Sequence, residues 1–291
     1  MNKKKVYPIY FLIIPLVIFT VFFLIPSTIG YVYAFTDWNP YVEKISFVGF
    51  QNFVEIFENK TLITAFVNTV VFAFVKTIAV TLLGIIIAVL LNRSFKTSKA
   101  LRTVYFLPAI FSALIVGLIF SGLFDTQNGL VNQSLSALAG HDVEIEWLGS
   151  RWPALSVISM AELWRSTGYA VVITVAALQS VPSDYLEAAM VDGASGWQRF
   201  KKITLPMIMP AVNVNILFSL IYGLKMFDLI MILTGGGPGH DTESFGTLIL
   251  SEMSRDRYAQ SVAINLLFSV ILVLIAWLYQ KYSKKLEAQV Q

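Results

Sequence analysis

The sequence predicts an all-α, polytopic membrane protein with six transmembrane helices and both termini in the cytoplasm. Three observations carry this. Of 291 residues, 56% are hydrophobic and only 13% are charged, against about 25% charged in a soluble domain. Long apolar runs recur, each able to cross a hydrocarbon core of about 30 Å. Lysine and arginine fall unequally on alternate loops.

The elements follow in order. The short basic start, MNKKKVYPIY, leads into an apolar run from Ile9 to Phe35. That run exceeds a signal-peptide core and lacks a small-x-small cleavage site, so it is expected to stay as the first span. Pro15 and Pro26 should bend it. A polar stretch from Asp37 carries Trp38 and Tyr41, placed like interfacial aromatics. The second span is expected over Leu62 to Leu91, with Lys76 inside it. A basic loop holding Arg93, Lys96, Lys99 and Arg102 precedes the third span, Thr103 to Phe124, which contains Pro108. The fourth span, Pro153 to Val181, carries Glu162 and Arg165. The fifth, Leu205 to Leu233, carries Lys225 and Asp228. GGGPGHDT then opens a turn region, and the sixth span covers Ser261 to Tyr279. The whole chain, 1–291, reads as one transmembrane domain, with a polar loop at 182–210.

With the N-terminus inside, the inner segments hold thirteen basic residues and the outer ones five: Lys44, Lys60, Arg151, Arg255 and Arg257. The positive-inside rule favours this orientation, which makes the 182–210 loop cytoplasmic.

Several chemistries lack support. There is no cysteine, hence no disulfide or thiolate metal site. The two histidines, His141 and His240, lie in loops, so a histidine-rich metal centre is not expected. No GxxxxGK[ST], HExxH or GxSxG motif occurs, and no basic, aromatic-interleaved surface suggests nucleic acid. Neither a catalytic residue nor a cofactor is expected. Asp184, Glu187 and Asp192 lie close together, but in a loop rather than a pocket.

The most informative stretch is Glu187 to Pro210, EAAMVDGASGWQRFKKITLPMIMP. It reads as two short helices around a glycine. Ser183 is placed to cap the first, and Gly193 suits the left-handed position where a helix stops. Ser195 and Gln198 match a capping box for the second. Trp197, Phe200 and Ile203 form an apolar stripe, while Arg199, Lys201 and Lys202 point elsewhere. Pattern alone leaves two readings: a docking surface for a partner, or an amphipathic loop at the headgroups.

Charges within spans are costly and should face protein or a water-filled cavity. Glu162 and Arg165, and likewise Lys225 and Asp228, are three apart and so share a helix face. Lys76 needs a carboxylate or carbonyl from another helix. These groups either pair structurally or line a path for a polar solute, together with Trp164, Asn213, Asn215 and Tyr222.

EAAMVDGASGWQRFKKITLPMIMPA, Glu187 to Ala211, resembles the EAA loop of bacterial ABC importer permeases. Glu187, Ala188, Ala189, Asp192, Gly193, Ala194, Phe200, Ile203, Leu205, Pro206 and Pro210 fall on that pattern. FDLIMILTGGGPGHDT, Phe227 to Thr242, is similar to the end of the fifth helix in carbohydrate permeases of the maltose, glycerol 3-phosphate or lactose type. Leu163 to Ala189 and Ile13 to Trp38 are similar to their fourth and first helices. The resemblance implies a type I ABC importer permease fold in the bacterial inner membrane. It implies a coupling helix, about Ser183 to Val191, seated in a cytoplasmic ATP-binding dimer, with Glu187 to Ala194 as its contact. It also implies a second permease subunit and an extracellular or periplasmic solute-binding protein. Two alternatives stay open: a permease for another solute, such as phosphate or peptide, or an ion-coupled secondary transporter.

Overall fold

Side-chain geometry comes from a computed structural model that describes residues 10–92 and 98–290. Lys3, Lys4 and Lys5, and Arg93 and Lys96 of the basic loop, lie outside the described residues, as do the side chains of Lys99, Lys284 and Lys285.

Nearly all regular structure among the described residues is helical; the exception is an isolated bridge between Thr36 and Phe47. The first span is α1 (Tyr10–Phe19) and α2 (Ile25–Tyr33), joined by a π-helical turn at Thr20–Leu24. The turn falls just before Pro26, whose missing N–H and ring disturb the regular ladder. After α3 (Gln51–Glu58), α4 (Lys60–Leu91) forms the second span.

The third span is not one straight helix. α5 (Ser98–Phe106) passes through a 3-10 turn, Leu107–Ile110, and stops; α6 (Ala113–Leu123) restarts at a bend of 97°. Pro108 lies in the turn, and Ser112 leaves the helical region (ψ 154°) to accept a hydrogen bond from the Ile115 N–H. That is an N-cap, and it lets the chain change direction without leaving the first amides unsatisfied. α7 (Leu130–Ala139) follows, then α8 (Arg151–Gln179), α9 (Ser183–Val191) and α10 (Gly196–Arg199).

α10 runs through a π turn, Phe200–Thr204, straight into α11 (Leu205–Leu224). The expected fifth span therefore begins earlier, and it also ends earlier. Lys225 caps α11, Phe227 is non-helical, and α12 (Asp228–Leu233) is a separate piece. Lys225 and Asp228 thus do not share a helix face. The interruption is held open by tertiary structure: the Ser244 hydroxyl donates to the Met226 carbonyl at 2.9 Å. α13 (Phe245–Ser254) and α14 (Tyr258–Val290) complete the chain.

Four helical stretches among the described residues are long and apolar enough to cross a membrane, and a fifth results if the bent pair is one span. α8 has 29 residues but is not among them; Glu162 and Arg165 lower its mean hydropathy. The expected count of six needs α8 to cross as well.

The chain divides into two compact units: residues up to Lys60 with Ile249–Val270, and Thr61–Leu248 with residues from Ile271 onward. The second unit has two apolar clusters. Phe72, Leu155, Ile158, Leu229 and Ile230 belong to one, and Ala88, Val171, Val175, Ile208 and Val212 to the other. Along α4, α8 and α11 the residues between these clusters are more polar.

Close approach of the helices depends on small residues, because lipid gives little hydrophobic drive for helices to associate. A Cβ on Gly223 would lie 2.6 Å from the Ala73 Cα, and one on Gly84 would lie 2.7 Å from the Ala170 Cβ. Gly223→Val is therefore expected to push α11 off α4, at a cost of about 1–3 kcal/mol for overpacking. A lowered thermal midpoint of the detergent-solubilised complex would show this; an unchanged midpoint would mean that α4 and α11 part without penalty.

Candidate functional site

Two features stand out: the loop at α9 and α10, and a cavity between the apolar clusters of the second unit. α9 has no buried residue; Tyr185, Met190 and Val191 are exposed, Val191 at 89%. Ser183 is not its cap. Pro182 holds the N-cap position, and Ser183 is the first helical residue, its hydroxyl turned to Asp184 at 3.4 Å. Its extended backbone, φ −63° and ψ 136°, is that of an ordinary N-cap residue.

The far end of α9 is tightly built. The amides of Asp192, Gly193 and Ala194 donate to the carbonyls of Ala188, Met190 and Ala189 at 3.0, 3.0 and 2.9 Å. Gly193 has φ +78°. The last two bonds make a Schellman motif, which satisfies carbonyls left over at the helix end. Ser195 and Gln198 form the anticipated capping box, with the Ser195 amide donating to Gln198 Oε1 at 2.7 Å. Trp197 stacks on Phe200 with ring centroids 5.7 Å apart. Glu187, Ala188, Asp192 and Gly193 are exposed, and Ala189 and Ala194 half-buried. The continuous helix from Gly196 to Leu224 then joins this loop to the cavity wall.

The cavity has a volume of about 390 Å³ and is lined by α4 (Lys76, Val80), α8 (Glu162 to Ile173), α11 (Asn215 to Tyr222) and Ala109. Glu162 is its hub. One carboxylate oxygen accepts from Lys76 Nζ at 2.5 Å; the other accepts from Arg165 at 2.8 and 3.1 Å. The Lys76 and Glu162 side chains are 8% and 6% exposed. Lys76 thus meets the carboxylate from another helix that its position in a span demanded. Its ammonium also sits 5.4 Å from the Tyr222 ring centroid, within reach of a cation–π attraction. Asn215 donates to Thr174 Oγ1 and the Ala170 carbonyl, and the Tyr169 hydroxyl donates to the Ala109 carbonyl. The rings of Tyr169 and Tyr222 remain largely exposed, so the wall offers aromatic faces beside hydrogen-bonding groups.

Of the sequence candidates for a solute path, Tyr222 lines this cavity. The others do not. Trp164 packs against Phe111 and Phe120. Asn213 is buried and accepts from the Tyr279 hydroxyl at its carbonyl, 3.2 Å away. Lys225 and Asp228 are exposed, and no ion pair joins them. Lys225→Ala is accordingly expected to leave solute uptake at the wild-type level; a clear loss would return Lys225 to the path. Ser166, Tyr169 and Ser219 were missed. Their signal was periodicity: Glu162, Ser166, Tyr169 and Ile173 recur at one helix face, as do Asn215, Ser219 and Tyr222.

These features define a membrane permease, and comparison with known proteins identifies its family. Residues 80–288 match the family described as binding-protein-dependent transport system inner membrane component, and the chain belongs to it. It is the transmembrane permease component of an ABC importer.

Among its relatives is the multiple sugar-binding transport system permease protein MsmF of Streptococcus mutans, 34% identical over 95% of each chain. Another is the trehalose/maltose transport system permease protein MalF of Thermococcus litoralis, 31% identical over 94% of this chain and 93% of that one. The fold matches a chain in the crystal structure of a bacterial ABC transporter involved in import of the acidic polysaccharide alginate. There the TM-score is 0.84, at 25% identity and 95% coverage of both chains.

Proposed function

We propose that this chain is one of two permease subunits through which an ABC importer carries a sugar or related polyol into the cell. Both termini and the α9–α10 loop face the cytoplasm, and six spans cross the membrane, α8 included. The observation that carries the reading is α9 itself. A capped helix with nothing buried, rich in exposed apolar side chains, and fixed through the Schellman turn to a helix lining a polar cavity is built to seat in a partner. The partner is the ATP-binding dimer, with Glu187, Ala188, Ala189, Asp192, Gly193 and Ala194 in or beside the socket. The sugar relatives support the solute class, and an alginate importer in complex with its periplasmic binding protein supports delivery by such a protein.

ATP binding closes the ATPase dimer and moves α9. The continuous Gly196–Leu224 helix carries that motion to the cavity face. There Tyr169 and Tyr222 offer faces to a sugar ring, while Arg165, Ser166 and Ser219 offer polar contacts to its hydroxyls. Tyr222→Leu is expected to raise the apparent KM for uptake without changing ATP hydrolysis in the absence of solute; an unchanged KM would remove this cavity from the path.

The deciding experiment reconstitutes the chain with its ATPase, second permease and binding protein in vesicles. Uptake of a saccharide should require ATP. Uptake driven by an ion gradient without the ATPase would overturn the reading.

A further inference from the structure

α3 in the first unit has no part in coupling or in the cavity. Its eight residues carry three stripes. Asn52 and Ile56 are buried. Gln51, Glu55 and Glu58 form an exposed polar row. Phe50, at the N-cap, begins an exposed apolar row with Val54 and Phe57, exposed by 71%, 56% and 61%, and Phe47 beside it is 80% exposed. The spacing of four and three puts each row along one side of the helix.

Hydrogen bonds from two of its residues fix where this helix lies relative to the spans of its own unit. Asn52 Nδ2 donates to the carbonyls of Ala34 and Thr36, both at 2.8 Å, just past the end of α2. Glu55 accepts from Gln260 Nε2 at 2.6 Å, in the first turn of α14. The loop before α3 makes a parallel link, Asn39 donating to the Asp256 carbonyl two residues before α14. α3 is therefore held at the level where one membrane span stops and another starts. Aromatic rings mark the same level: Trp38 stacks on Tyr33 and touches Tyr258, which also touches Tyr41. Such a belt lies at the boundary between headgroups and acyl chains. Ile29 and Val32 on α2 are exposed as well.

We propose that α3 is an interfacial anchor whose Phe47, Phe50, Val54 and Phe57 side chains insert into the outer region of a lipid leaflet. The row's apolar character, its placement at the aromatic belt and the polar row beside it match an amphipathic helix lying in the membrane plane. The anchor would fix the end of α2 and the start of α14 at one depth in the membrane.

The chain has no cysteine, so single cysteines at 50, 51, 54, 55, 57 and 58 can be spin-labelled in the full importer reconstituted in phospholipid vesicles. Collision rates with oxygen, which concentrates in lipid, and with a water-soluble nickel chelate read the surroundings of each label. The expected result is a several-fold excess of oxygen over nickel at 50, 54 and 57, and the reverse at 51, 55 and 58. Nickel access at 50, 54 and 57 would mean an aqueous face, and exclusion of both reagents would mean a protein partner; either overturns the proposal. Phe57→Trp, quenched by brominated phospholipids where Glu58→Trp is not, gives the same contrast without a nitroxide.

Discussion

Gly193→Pro is expected to abolish ATP-driven uptake while the chain still inserts and assembles in the membrane. Gly193 has φ +78°, whereas a proline ring holds φ near −65°. The substitution also removes the amide that donates to the Met190 carbonyl at 3.0 Å. The Schellman motif cannot form, and the angle between α9 and the helix beginning at Gly196 is lost. No Cβ clash enters, since nothing lies within 4 Å of a Cβ at this position. The effect is therefore one of backbone direction. Gly193→Ala is the graded control: it keeps the amide but puts a side chain in the left-handed region, at about 1–2 kcal/mol, and should weaken coupling rather than end it. Solute-stimulated ATP hydrolysis and uptake, measured with the amount of chain in the membrane, separate coupling from assembly. Wild-type uptake by the proline variant would remove α9 from the coupling path. Glu187→Lys tests the same surface by charge, and should abolish uptake with the turn intact.

The geometry of the α9–α10 loop was legible because its determinants are local. Gly193 and the Ser195–Gln198 box act within six residues, so the residue types nearly dictate the geometry. The Ser183 cap failed for a similarly local reason, as Pro182 already supplies the entry to the helix. The long helices were legible in sequence, and the ends of α4 and α8 fall within two residues of the expected bounds. The interruptions were not. Nothing in the stretch Leu224 to Asp228 is a helix breaker. The break stands because Ser244, eighteen residues on, satisfies the Met226 carbonyl and because Met226 packs into an apolar cluster. The bend after Ile110 had a visible cause in Pro108, but the turn is completed at Ser112, whose capping role looks like any serine in an apolar run.

The cavity shows the same limit. Glu162 and Arg165 could be paired from spacing, and Lys76 could be given a partner only in kind. That the partner is the same carboxylate, 86 residues away, depends on how α4 packs on α8. The gap between the two apolar clusters opens because polar residues at one face of three helices come level. Sequence gives each stripe separately and not their register.

Glu162→Gln is expected to be the most destabilising change at the cavity. In the native chain one carboxylate offsets two cations, with both its oxygens used. The amide keeps the shape but leaves Lys76 and Arg165 facing each other without a counter-charge. Breaking a buried pair by removing one partner costs about 3–5 kcal/mol, and Lys76 at 8% side-chain exposure has little water to compensate. Lys76→Met should cost less, because Arg165 still holds Glu162. The pattern across variants matters more than any single value. Once Lys76 is methionine, adding Glu162→Gln should lose less stability than it does alone, because a single, more exposed cation remains. Such non-additivity is the mark of directly coupled groups. Thermal midpoints of the assembled importer in one detergent give all four corners of the cycle. Strict additivity, or an unchanged midpoint for Glu162→Gln alone, would mean that water already solvates these charges. The cavity would then be a hydrated path at rest, with the triad contributing to solute contact rather than to holding α4 on α8.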